Sequence, residues 1–221
     1  MDKKDGYNGG EDVIGVDGIY DDESDFFVSE AQVDYMRMLD GGKLFSYDEY
    51  LDWDKYDERW ELLDGVPYLM SAPTIDHQGV VMSLSVQIGS YLRGKKCRIF
   101  SSPFEVRLKT KTTDKTALFP DLVVLCNKEK STKRGCIGAP DMVVEVLSPS
   151  TAKRDKEFKY KKYLQSGVKE YWIIDPVGKI LTVNILNGNQ YVAHIYKEKD
   201  TVKVHVLDDC VVDLVEVFEE W

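Results

Sequence analysis

The sequence predicts an α/β fold of the mixed (α+β) kind: a mixed β-sheet flanked by helices, with an added antiparallel meander. Three observations carry that expectation. Two apolar, β-branched stretches, one from Phe119 to Leu125 and one from Met142 to Leu147, suit strands buried on both faces, and each holds one acid, Asp121 or Glu145. A lysine-rich helical stretch, Lys153 to Gln165, follows the second run and leads to another apolar strand at Tyr171 to Ile174. Beyond it, Ile180 to Leu186, Gln190 to Tyr196 and Val202 to Val206 alternate like antiparallel strands, joined by Asn187-Gly188-Asn189 and by Lys199-Asp200.

A chain of 221 residues with 43% hydrophobic content is enough for one well-buried domain and a tail. The expected division is an acidic N-terminal extension over 1–45 and a single domain over 46–221. No apolar run approaches the ~20 residues that span a bilayer, and the start, MDKKDGYNGGEDV, has no signal-type hydrophobic region, so no membrane partner and a cytoplasmic location are expected. Cys97, Cys126, Cys136 and Cys210 show no CxxC spacing and read as reduced, structural thiols. The net charge of -10 argues against phosphate binding by the chain as a whole, but it is unevenly placed. Residues 1–64 hold 20 acids and 6 bases, whereas residues 65–221 hold 19 acids and 23 bases. Arg93 to Lys115 carries 8 bases against 2 acids, and Lys153 to Lys162 carries 6 against 2. Solvated loop and helix surfaces are the plainer reading of each.

Taken in order, residues 1 to about 27 have too few large apolar groups for a core. Val28 to Asp40 has spacing that allows a helix, ended by Gly41-Gly42. Ser46-Tyr47-Asp48-Glu49 has the form of a capping box and starts a short helix running to about Lys55. Arg59 to Leu63 and Val66 to Met70 flank Asp64-Gly65, the signature of a tight hairpin. Alternation puts Glu61 and Leu63 on one face of its first arm and Trp60 and Leu62 on the other, without saying which face is wet. Thr74 to Arg93 repeats Val80, Val81, Leu84, Ile88, Tyr91 and Leu92 at helical spacing, with His77 and Gln78 in its first turn. Strands follow at Arg98 to Phe100, Phe104 to Leu108, Leu118 to Leu125 and Asp141 to Leu147, and Val211 to Phe218 returns to helical spacing.

The chemistry is concentrated where the acids interrupt apolar runs. A charge in a buried strand costs several kcal/mol unless paired, so a metal ion or a basic partner explains Glu145 better than chance. Ser148-Pro149-Ser150-Thr151 then stops the strand and begins a helix on which Asp155, Lys159 and Tyr163, spaced i, i+4, i+8, share one face. Asp121 stands just inside the other apolar run, after Pro120. Two acids, with a lysine within reach on a helix, point to a hard-metal site; strand-end acids facing water are the plainer alternative for either one alone. Glu61 is either a third acid of that site or a solvent-facing strand residue. His77 reads first as a surface or capping group, since no second histidine lies nearby to complete a zinc set.

These stretches together resemble a known family. The order helix, strands bearing Pro120-Asp121 and Glu145, helix, strand resembles the PD-(D/E)XK nuclease superfamily, and more closely the Uma-type family of bacterial restriction-endonuclease-like proteins. The resemblance runs from about Tyr56 to the C-terminus. It rests on Trp60 through Gly65, Ala72-Pro73 followed by His77-Gln78, Pro103 through Leu108, Pro120 through Val124, Gly138 through Thr151, the helix positions Asp155, Lys159 and Tyr163, and Glu170 through Pro176.

The resemblance implies a restriction-endonuclease-like core and a metal-dependent endonuclease acting on DNA. Asp121 and Glu145 would hold Mg²⁺ or Mn²⁺ through oxygen. Asp121, Glu145, Lys159 and Glu61 are then the catalytic candidates, with His77, Gln78, Asp155 and Tyr163 in support. The superfamily lysine stands two residues after the second acid, where this chain has Leu147; Lys159 on the next helix is the matching amine. A homodimer is expected for cutting two strands. The rival expectation is a catalytically silent binding or regulatory module that keeps the fold.

Overall fold

The computed structural model describes residues 42–55, 59–108, 115–149 and 151–219. The helix expected at Val28 to Asp40 and most of the acidic extension lie outside them. Helix α1 (Tyr47–Leu51) is opened by the expected capping box: Glu49 N donates to Ser46 Oγ at 3.2 Å and Ser46 N donates to Glu49 Oε2 at 2.9 Å. It is followed by a tight helical turn at Asp52–Lys55.

Strands β1 (Trp60–Leu63) and β2 (Val66–Leu69) form the predicted hairpin. Its two-residue turn holds both Asp64 (φ 53°) and Gly65 (φ 83°) at positive φ, the geometry that matches strand twist and that Asp-Gly tolerates. The long helix α2 (Ile75–Tyr91) follows, with Thr74 as its N-cap. Then come β3 (Arg98–Ser101), β4 (Glu105–Arg107), β5 (Ala117–Leu118), β6 (Leu122–Leu125), β7 (Gly135–Ile137) and β8 (Met142–Val146). Gly135 is required beside β4, because a Cβ there would lie 1.9 Å from the Glu105 carbonyl oxygen.

The mixed α+β fold is as predicted, but it is built on two main sheets. One has the order β2-β1-β5-β4-β7. The other has the order β11-β10-β9-β8-β6-β3, where β9 (Glu170–Asp175) pairs parallel with β8, and β10 (Ile180–Asn187) and β11 (Gln190–Lys197) continue antiparallel. The expected single strand from Leu118 to Leu125 is in fact β5 and β6, one in each sheet. Pro120 lacks an N–H for the ladder, and the chain changes sheets at Pro120-Asp121. The meander ends sooner than predicted: β12 (Thr201–Lys203) leaves the large sheet and pairs with β13 (Val211–Asp213). The predicted last helix shrinks to α4 (Leu214–Val217), because Val211 and Val212 extend as strand, and Val212 buries against the core.

The layers follow from alternation along the six-stranded sheet. Leu122, Val124, Met142, Val144, Val146, Trp172 and Ile174 face one side, packing on Val80, Leu84 and Ile88 of α2 and on Val202 and Val212 of the ribbon. Val123, Leu125, Val143 and Ile173 face the other side, toward Leu63, Val106 and Leu118 of the five-stranded sheet and Tyr163. The far face of the five-stranded sheet is covered in turn, by Phe45, Tyr47 and Tyr50 on Trp60 and Leu62. Each fully buried aliphatic side chain contributes about 1.5–3 kcal/mol, so this three-layer core dominates stability.

The cysteine expectation is half corrected. Cys136 and Cys210 are buried free thiols, but Cys97 and Cys126 form a disulfide. The pairing Arg98↔Leu125 of β3 with β6, carried one residue further, sets those two opposite each other, a proximity with no trace in their sequence spacing. Among the described residues no helix is long and apolar enough to cross a membrane.

Candidate metal and acid cluster

The site forms between the two sheets, where the register brings distant acids together. The pairing Leu122↔Val144 of β6 with β8, carried one residue further, places Asp121, at the bend that leads into β6, across from Glu145 of β8. Val146 N donates to Asp121 Oδ2 at 2.7 Å, which fixes that carboxylate at the strand end. From the other side, His77 Nε2 in the first turn of α2 lies 3.2 Å from the same oxygen. Gln78, the next residue, is exposed and bonds to none of these groups among the described residues.

Lys159 reaches the sheet from the crossover between β8 and β9. That crossover begins with a π-turn over Arg154–Lys159, in which Tyr160 N donates to Asp155 O, five residues back, and then continues as α3 (Tyr160–Ser166). Lys159 is 3% exposed and its ammonium lies within ion-pair distance of three carboxylates. Nζ lies 2.9 Å from Glu145 Oε1, 2.9 Å from Glu61 Oε1 and 3.3 Å from Asp155 Oδ1. Tyr163, one turn on, donates its hydroxyl to Glu145 Oε1 at 2.7 Å. Five of the eight predicted site residues, Glu61, Glu145, Asp155, Lys159 and Tyr163, therefore meet in one network; Asp121 and His77 form a pair beside it, and Gln78 stands apart.

Glu61 is buried, which decides between its two readings. Phe119 N donates to its Oε1 at 3.0 Å, and Arg154 Nη2 lies 3.5 Å from its Oε2. Arg154 was not among the predicted residues. Its guanidinium lies 4.7 Å from the Tyr68 ring centroid. An α-helical reading turns Arg154 away from the face of Asp155 and Lys159; the π-turn, with its wider repeat, brings positions 154 and 159 to one side. Tyr171 also went unpredicted; its hydroxyl donates to Asp155 O at 3.0 Å.

The electrostatics are unbalanced: three carboxylates, Glu61, Glu145 and Asp155, share Lys159, with Arg154 beside Glu61, while Asp121 pairs with His77. For Glu145, burial is the largest influence and pushes its carboxyl well above the usual range; Lys159 opposes this, while Asp155, Asp121 and Glu61 add to it. For Glu61, burial also works against the charge, but Lys159, Arg154 and the Phe119 amide together hold its carboxyl below the usual range. Burial likewise works against the Lys159 ammonium, yet the three acids hold its pKa well above that of an ordinary lysine. The Tyr163 hydroxyl is pushed up by burial and by Glu145, so it stays a donor.

The donor set fits a hard divalent cation. Among the described residues no three His, Cys, Asp or Glu side chains gather as a ready-made metal cage. Among the described residues, however, both contacts to Asp121 fall on Oδ2 and both to Glu145 fall on Oε1, leaving Oδ1 and Oε2 uncommitted. Two carboxylate oxygens with a surplus of negative charge suit an ion that keeps most of its shell as water, as Mg²⁺ does.

The sequence profile described as "Putative restriction endonuclease", that of the Uma2 family, matches residues 47–214. The uncharacterized protein slr1290 of Synechocystis sp. is 30% identical over 130 residues, 58% of this chain and 67% of the relative. Among solved structures, the crystal structure of "a putative nuclease belonging to DUF820" from Anabaena variabilis superimposes with a TM-score of 0.65, covering 79% of this chain and 97% of that one. At 18% identity, that likeness concerns the fold. With the profile spanning well over half of its length, the chain belongs to the Uma2 restriction-endonuclease-like family.

Proposed function

We propose that this protein is a metal-dependent endonuclease that hydrolyses DNA phosphodiester bonds, with Asp121 and Glu145 as the residues that hold Mg²⁺ or Mn²⁺. The observation that carries the reading is the register that sets these two acids across from each other on neighbouring strands, each with an oxygen free among the described residues, and Glu145 beside a buried lysine. When bound, the ion supplies Lewis-acid charge against the phosphate oxygens and eases deprotonation of water. The chain's own residues do the rest. His77 and Val146 N orient Asp121, while Lys159 and Tyr163 fix Glu145. Glu61 and Asp155 hold Lys159 in place. Exposed Lys153, Lys156 and Lys161 on the same crossover offer phosphate contacts that position the duplex without reading its sequence.

A second reading is favoured by one observation: the ammonium of Lys159 is buried among three carboxylates, and Leu147 fills the position where the superfamily carries its lysine. On that reading the fold persists as a silent binding module. Two copies acting on two strands, a domain spanning 46–221 with 1–45 as an appendage, and action in the cytoplasm complete the main proposal. The Cys97–Cys126 disulfide pulls against that compartment, and thiol titration of protein taken from it decides the point.

Cleavage of supercoiled plasmid and of single-stranded DNA, with Mg²⁺ or Mn²⁺, tests the reading. The wild type is expected to cut, and Asp121→Asn and Glu145→Gln are expected to lose cutting while staying folded. A folded wild type that binds DNA but cuts with neither ion would establish the silent module.

A further inference from the structure

Helix α2 carries no Lys, Arg, Asp or Glu between Asp76 and Arg93. Its inner side is Val80, Leu84 and Ile88, buried against the six-stranded sheet. Its outer side is Ile75, Gly79, Met82, Val86 and Ser90, spaced i, i+4, i+7, i+11 and i+15. Ile75, Met82 and Val86 are 58%, 64% and 57% exposed. A surface helix normally puts its charges on this side, and α2 puts none there after Asp76.

Helix α4 widens the same face. Ser83 Oγ donates to Glu216 O at 2.9 Å, and Gln87 exchanges bonds with the Asp213 backbone at 3.1 and 2.8 Å. These bonds seat Val215, 51% exposed, beside the stripe. Gly79 needs a reason of its own. A Cβ there meets nothing within 4 Å, so the described chain does not require glycine at a helix position where it is less favourable than alanine. Close approach of another backbone supplies that reason.

We propose that this face is the contact between two copies of the chain, α2 of one lying antiparallel on α2 of the other about a two-fold axis between Met82 and Val86. The charge pattern selects the second copy and the direction. Asp76 marks the N-terminal end of the stripe, and Arg93, Lys95 and Lys96 follow its C-terminal end. Antiparallel pairing sets acid against base at both ends, and the helix dipoles oppose favourably; parallel pairing sets like against like. The interface adjoins the acid cluster, since the first turn of α2 also carries His77 against Asp121. At 1.5 Å per residue the two first turns lie roughly 20 Å apart along the helix axis. This deepens the two-copy arrangement proposed above, but it is read without DNA or metal, so its failure is separate from any failure of the nuclease reading.

Sedimentation velocity of the full chain at micromolar concentration tests it. The wild type is expected to be a dimer, and Met82→Glu is expected to dissociate it at least about tenfold more readily, with unchanged circular dichroism. Asp76→Arg and Arg93→Asp should each weaken the dimer, and the double variant should recover it, which only a second copy can produce. A dimer indifferent to Met82→Glu places the interface elsewhere and overturns the proposal. So does a monomeric wild type. In that case shielding of Met82 from peroxide would assign the face to residues 1–41 of the same chain, and ready oxidation would show it bare.

Discussion

Glu145 and Glu170 stand on adjacent parallel strands, both nearly inaccessible to water, yet they are satisfied in opposite ways. Glu170 accepts from two neutral donors, Trp172 Nε1 at 2.7 Å and Val206 N at 2.9 Å, one on each oxygen. Both of its oxygens are occupied, one by Trp172 of the same strand and one by Val206, which ties β9 to the segment after β12. Glu145 receives Lys159 and Tyr163 on a single oxygen, shares that lysine with two other acids and faces Asp121. Burial pushes both carboxyls up, so a raised pKa does not separate them. The free oxygen and the surplus of neighbouring charge do: a structural carboxylate is closed, and a candidate ligand is left open.

The largest expected effect comes from removing the cation on one side of that contrast. Lys159→Met leaves Glu61, Glu145 and Asp155 together without it and is expected to cost about 3–5 kcal/mol in chemical denaturation. Adding Glu145→Gln should recover part of the loss, because one uncompensated acid is gone. Next is activity: Glu145→Gln is expected to lower plasmid cleavage by about 100-fold, some 2.7 kcal/mol of barrier, while Glu170→Gln leaves the rate within about twofold. Equal losses in the two variants would erase the distinction.

Stability should reverse the ranking. Glu170→Gln keeps a single acceptor oxygen, so either Trp172 Nε1–H or Val206 N–H meets an amide NH₂ instead, and it is expected to cost about 1–3 kcal/mol, a larger loss than Glu145→Gln gives at neutral pH. The smallest effect is a pair of opposite pH slopes. The folded pKa of Glu170 is raised, so its contribution relative to Glu170→Gln is full below the ordinary value of 4.5 and is lost as pH rises through the folded value. That of Glu61 is lowered, so its contribution relative to Glu61→Gln is present above 4.5 and is lost as pH falls through the folded value. Denaturant titrations of the two pairs across acid pH should therefore diverge in sign, with about 1.4 kcal/mol for each tenfold change in the acidity of the carboxyl on folding.

Most of the acid cluster was legible because its chemistry violates local expectation: an acid inside an apolar run signals a partner, and Asp155, Lys159 and Tyr163 keep helical spacing. Glu61 was ambiguous for a physical reason. Both faces of the five-stranded sheet are buried, one on the large sheet and one under Tyr47 and Tyr50, so alternation distinguishes two faces but no wet one. Arg154 was hidden by the π-turn, whose repeat differs from 3.6 residues. The split of the Leu118 to Leu125 run between sheets and the Cys97–Cys126 disulfide both depend on strand partners, which local pattern does not encode. The α2 stripe, by contrast, was in plain view as a helix without charges, and only its burial on the inner side made the outer side informative.

The most direct measurement is Mn²⁺ binding, followed by electron paramagnetic resonance, for the wild type, Asp121→Asn, Glu145→Gln and Glu170→Gln. Binding by the wild type and Glu170→Gln, with loss in both Asp121→Asn and Glu145→Gln, is the predicted result. Equal binding by all four proteins, or none by any of them, would contradict a metal site at the facing acids.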